Sequence, residues 1–96
     1  MNKKEIKSAI NKAACWYAES LGYEILDLES DGSIDFVPPN YTKAEDMIQW
    51  HRSYQETCVC NNANNKIKSD AKLIDAHMKP IIEYYNNQYT PKNAKA

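Results

Sequence analysis

The stretch GYEILDLESDGSIDFVPPN, Gly22 to Asn40, decides what kind of fold this chain adopts. Tyr23, Ile25, Leu26 and Leu28 form a short apolar-rich run. Glu29-Ser30-Asp31-Gly32 has turn chemistry, with glycine available for a positive φ. From Ser33 to Val37 the side chains alternate, Ile34 and Phe36 on one face, Asp35 and Val37 on the other. Two such runs about a glycine-containing turn are a β-hairpin signal. Pro38-Pro39 closes the second strand, because proline cannot donate to a ladder.

Toward the amino terminus the pattern changes period. Ile6, Ile10, Ala13, Ala14, Tyr17 and Leu21 recur at spacings of three and four, which places them on one helical face. Lys3, Lys7, Asn11 and Glu19 take the outer face. Gly22 stands where a left-handed residue ends a helix, so the helix is expected to stop at Ser20 or Leu21.

Toward the carboxyl terminus, Thr42-Lys43-Ala44-Glu45 matches a capping box and predicts a second helix. Ala44, Met47, Ile48, His51, Tyr54 and Cys58 share one face of it, with Trp50 at the edge. A competing assignment puts Thr57-Cys58-Val59-Cys60 on a strand. The asparagine tract 61–65 breaks the pattern and offers an N-cap. A third helix then carries Ile67, Ala71, Ile74, Met78, Ile81 or Ile82, and Tyr85, with Pro80 expected to kink it or start a new segment. The expectation is a small single α+β domain over residues 1–90 in the order αββαα, its short antiparallel sheet packed against helices. Residues 91–96 read as a flexible tail. A two-stranded hairpin is marginal alone, so it needs a helix on one face and a third strand or a partner at its edge.

Composition narrows the function classes. With 96 residues, 43 % of them hydrophobic, there is material for one modest core. The net charge of −1 gives no global attraction to nucleic acid or to an anionic membrane. No apolar run approaches the ~18 residues that a membrane span needs. The Lys-Lys-Glu start lacks the apolar region of a signal peptide. Three cysteines, two of them one residue apart, do not make a secreted disulfide framework, which points to a reducing, cytoplasmic compartment. Abundant Asn, Lys, Ile and Tyr fit an AT-rich genome such as that of a phage or mobile element.

Segment 13–37, AACWYAESLGYEILDLESDGSIDFV, resembles the opening of the YraN-like family of restriction-endonuclease-like proteins. Ala14, Tyr17, Leu21, Gly22, Tyr23, Ile25, Leu26, Gly32, Ile34 and Asp35 carry the resemblance. It implies a helix followed by a hairpin, with Asp35 at the position of a nuclease metal ligand. The Glu-x-Lys that should follow on the next strand is absent, since Pro38-Pro39-Asn40 intervenes. One aspartate does not supply the converging oxygen ligands of a divalent ion.

Charge is distributed asymmetrically. Between Ala13 and Thr42 there is no Lys or Arg, while Glu19, Glu24, Asp27, Glu29, Asp31 and Asp35 are present. Such a face is either solvated hairpin edge or a docking surface for a basic partner. Cys58-Val59-Cys60 with His51, His77 and Cys15 is a weak match to zinc spacing, and no Cys is paired with a recognisable base for nucleophilic chemistry. Lys3, Lys4, Lys7 and Lys12 form a small patch near the amino terminus, enough for weak phosphate contact, while the single Arg52 argues against base readout through arginine. The favoured function is therefore non-enzymatic, with no cofactor and no metal. Asp27, Glu29, Asp31 and Asp35 are expected to supply charge, and Trp16, Tyr41 and Trp50 to serve as aromatic anchors. The partner is a protein with a basic surface, or a second copy, ahead of nucleic acid. An inhibitor or accessory factor of a phage or mobile element fits this size. The alternative is a nucleic-acid-processing protein with a metal site at Asp35.

Overall fold

A computed structural model describes residues 1–27 and 32–90. Helix α1 spans Lys3–Ser20, strands β1 to β4 span Glu24–Leu26, Ser33–Val37, Ile48–His51 and Glu56–Val59, and helix α2 spans Asn65–Asn86. A short 3-10 turn, Ala44–Asp46, lies between β2 and β3. The fold is α+β, in the order αββββα among the described residues.

Each end of α1 is built by local chemistry. Asn2 caps the start, its side chain accepting from the Glu5 N–H at 2.8 Å while the Glu5 carboxylate accepts from the Asn2 N–H at 3.0 Å. At the other end the Gly22 N–H reaches the Glu19 carbonyl and the Tyr23 N–H reaches the Ala18 carbonyl, a Schellman closure. It requires Gly22 at φ +97°, a conformation costly for a residue with a Cβ. The helix ends at Ser20, within the expected bounds.

The segment expected to be a second helix is instead a hairpin. Thr42 does not cap a helix; Lys43 precedes a single 3-10 turn without any side-chain cap. Beyond it, Ile48 and Trp50 are buried and alternate with half-buried Gln49 and His51. β3 pairs antiparallel with β2, Ile34 opposite Trp50 and Phe36 opposite Ile48, and β4 pairs antiparallel with β3, Ile48 opposite Val59. The Arg52–Gln55 turn joins them, with Gln55 at φ +57° and its N–H on the His51 carbonyl at 2.7 Å. The physical reason for the correction is pairing. The β1–β2 hairpin left the outer edge of β2 without a neighbour, and Ile48–His51 satisfies it. That third strand outweighs the capping signal and the three-and-four spacing of Thr42–Cys58. The strand assignment of Thr57 to Cys60 is thus the correct one as far as Val59.

The sheet runs β1-β2-β3-β4, all neighbours antiparallel. Ile25, Phe36, Ile48 and Val59 form one cross-strand row and Ile34, Trp50 and Thr57 the next. Both rows face the helices. Trp50 Nε1 donates to Asn11 Oδ1 of α1 at 3.0 Å, and Thr57 Oγ1 donates to Asp75 Oδ2 of α2 at 2.8 Å. Ile6, Ile10, Ala14 and Ala18 of α1 meet Ile67, Ala71, Ile74 and Met78 of α2 in the same core. The other sheet face carries Glu24, Leu26, Ser33, Asp35, Val37, Gln49, His51, Glu56 and Cys58, of which Ser33, Asp35 and Val37 on β2 are buried.

The two helices are antiparallel. Tyr23, just beyond α1, bonds Asp70 near the start of α2, Tyr17 stacks on His77 at 3.9 Å, and the Met1 amino group donates to the Gln88 carbonyl at 2.9 Å. Asn64 caps α2 through the Ile67 N–H. Helix α2 runs unbroken through Pro80, so Pro80 starts no new segment. Among the described residues no helix is long and apolar enough to cross a membrane. The expected tail, 91–96, lies outside the described residues.

Candidate binding groove

The expected site residues separate into distinct environments. Trp50 is fully buried at the centre of the core, so it is not a surface anchor; the indole fills the space under α1 and its N–H is held by Asn11. Asp35 is also buried, on the central strand between Leu26 and Gln49, and does not stand in water. Asp27 forms an ion pair with Arg52, which reaches it from the β3–β4 turn. Tyr41 is partly exposed in the segment after β2. Glu29 and Asp31 lie outside the described residues. Trp16 is 68 % exposed.

Trp16 and Asp27 meet in one groove. It has a volume of about 880 Å³ and runs between the outer face of α1 and the edge of the sheet at β1. Lys4, Lys7 and Lys12 line one end, and Glu19, Asp27 and Arg52 the other. Cys15 and Ile25 form part of the floor. A second depression of about 440 Å³, with Tyr85 of α2 in its wall, lies on the other side of Trp16. Lys4, Ser8, Lys12 and Trp16 belong to both, so they form the ridge between them. Their spacing of four residues explains this placement: it is one row on the helix surface, turned away from the Ile6–Ile10–Ala14 stripe.

The ionisable groups here are suited to binding rather than to nucleophilic chemistry. Burial first, and then the negative charges of Asp27 and Glu19, push the Cys15 thiol up to about 11 against the opposing pull of Arg52. Cys15 is therefore a thiol, not a thiolate, at neutral pH. Cys58 and Cys60 are exposed on and beside β4, with Cys60 Sγ against the Ala44 carbonyl. Among the described residues no three His, Cys, Asp or Glu side chains are grouped so as to hold a metal ion.

The buried polar cluster elsewhere is a fastening. Tyr23 Oη donates to Asp70 Oδ2 at 2.6 Å and Lys66 Nζ donates to the same oxygen at 2.8 Å, while the Lys66 ammonium lies 5.6 Å from the Tyr23 ring centre. Desolvation opposes the charge on Asp70, yet the bonds from Lys66 and Tyr23 prevail and hold its carboxyl below the usual range. Desolvation, and then Asp70, push the Tyr23 phenol far up. This cluster ties the end of α1 to the start of α2.

Trp16, Asp27 and the lysine patch stand out separately in the sequence. The four-residue spacing of Lys4, Ser8, Lys12 and Trp16 is the signal that joins the tryptophan to the lysine patch, and Asp27 carries no such signal. No protein-family model matches the chain, and no curated protein or solved structure matches it significantly.

Proposed function

We propose that this chain is a small non-enzymatic domain that binds a macromolecule along the groove beside Trp16. The observation that carries this reading is an indole 68 % exposed at the lip of a groove of about 880 Å³. A tryptophan left in water forgoes burial worth about 2–3 kcal/mol, and aromatic side chains with polar tips are favoured at interfaces. The groove is wide, open and flanked by charges of both signs, which suits docking and orientation of a large partner better than enclosure of a small substrate. An accessory or inhibitory role in a phage or mobile element is consistent with the small size and the Asn- and Lys-rich composition.

The test compares macromolecules retained from host extract by the wild-type chain and by Trp16→Ala. Intrinsic fluorescence from Trp50 checks that the core is intact in the variant. Loss of a retained macromolecule with Trp16→Ala is expected. Identical retention by both chains, or retention of nothing by either, would overturn the proposal.

A further inference from the structure

Resting on that reading, we infer that the macromolecule is single-stranded nucleic acid, held without sequence preference along the outer face of α1. Lys4, Ser8, Lys12 and Trp16 form one ridge inclined across α1, all four exposed, with Lys7 on the adjoining wall of the groove. At 1.5 Å per residue the row is about 18 Å long, enough for several nucleotides. Three ammonium groups at one end and a flat indole at the other match a strand whose phosphates lie along the lysines while a base stacks on Trp16. The amino-terminal end of α1 adds its positive dipole close to Lys4.

The choice of a single strand follows from the indole. In a duplex the base faces are already stacked on one another, so Trp16 has nothing to cover. An acidic polypeptide would use the lysines and leave the indole face uncovered. Lysine also suits contact that is independent of sequence, because its ammonium is a point charge without the fixed fork that reads guanine. The one arginine, Arg52, is engaged with Asp27. Glu5, in the wall of the second depression, is turned toward the helix start by its bond from the Asn2 N–H. Glu19 and Asp27 mark the end of the groove where the strand stops being attracted.

The chain carries its own probe. Trp16 is exposed and Trp50 has no exposure, so ligand contact changes one indole signal and leaves the other as an internal reference. The experiment titrates a fluorescently labelled oligothymidylate into the full chain, with a duplex of equal length and polyglutamate as comparison probes. Binding of the oligothymidylate with quenching of Trp16 is expected. Trp16→Ala should weaken it about tenfold or more, as loss of one stacked base does. The Lys4→Glu, Lys12→Glu double variant should abolish it. Three phosphate contacts on a single strand predict roughly a 20-fold fall in affinity between ~50 and ~200 mM salt. Trp16→Phe, which keeps an aromatic face, should retain most of the binding and guards against misfolding as the cause of loss. No binding at low salt, tighter binding of the duplex or of polyglutamate, or binding indifferent to Trp16→Ala and to the lysine reversals would each overturn the inference. A retained protein that depends on Trp16, with no oligothymidylate binding, would sink the nucleic-acid assignment and leave the binding function standing.

Discussion

Asp70 shows how a buried charge is retained in so small a core. Its carboxylate is largely buried and is accepted there because Lys66 and the Tyr23 hydroxyl both donate to it. Its folded-state pKa lies below its unfolded value, so the associated stabilisation is present above the unfolded value and is lost as the pH falls through the depressed folded one. Asp70→Asn should therefore be less stable than wild type at neutral pH, by about 1–3 kcal/mol. The difference should shrink on acidification below the normal aspartate range. Denaturant titrations at neutral and acid pH measure it, and a gap independent of pH would contradict the role assigned to the carboxylate. At this same scale the sequence was least transparent. The sequence offers Trp16 and Trp50 equally as anchors, because an indole in a sequence does not say which side of a fold it will occupy. Trp50 is core because its strand alternates with Ile48, a two-residue period obscured by the longer one around it. Asp35 is expected to supply surface charge, since its outward position on the strand is legible in the sequence but the shelter of an inner strand is not.

Among the elements, α1, the first hairpin, the asparagine cap and α2 follow from residue pattern alone. Ile6 to Leu21 repeats over several turns, and Gly22 marks the stop with a conformation few other residues accept. Long periodic segments average out local accidents. The stretch 42–59 was not legible because two short strands offer only four residues each, and because Thr42-x-x-Glu45 imitates a helix start. The actual capping box sits at Asn2 and Glu5, where an asparagine performs the role expected of threonine. In α2, Pro80 is exposed, lacks an N–H for the Ala76 carbonyl and yet lies within a continuous helix. The packing of Ile74 and Met78 before it, and of Ile81 and Ile82 after it, holds the helix together across the gap. Pro80→Ala should consequently stabilise the fold, by about 2 kcal/mol. Thermal unfolding checks this, and a lowered midpoint would mean that the proline sets a bend the packing requires.

For the whole molecule, the sheet has two edges with unequal protection. At β4 the Thr57 N–H is taken up by Asp75 Oδ1 of α2 at 2.9 Å, and the Thr57 hydroxyl binds the other carboxylate oxygen. Asp75 thereby blocks a donor that would otherwise recruit a strand from another molecule. Asp75→Ala should self-associate more strongly than wild type as concentration rises, seen by light scattering as mass above that of wild type. Equal masses at all concentrations would show that α2 shields the edge by bulk alone. The β1 edge instead borders the groove, so the surface proposed for binding lies at the opposite side of the sheet from the blocked strand. The account as a whole turns on that groove being occupied. Its most direct measurement places a photo-crosslinking amino acid at position 16 of the full chain in its host, with position 54 as a control. Tyr54 is 76 % exposed on the β3–β4 turn and does not line the groove. Adducts with nucleic acid from position 16, and none from position 54, are the predicted result. No adduct from position 16, or equal yields from both positions, would contradict it.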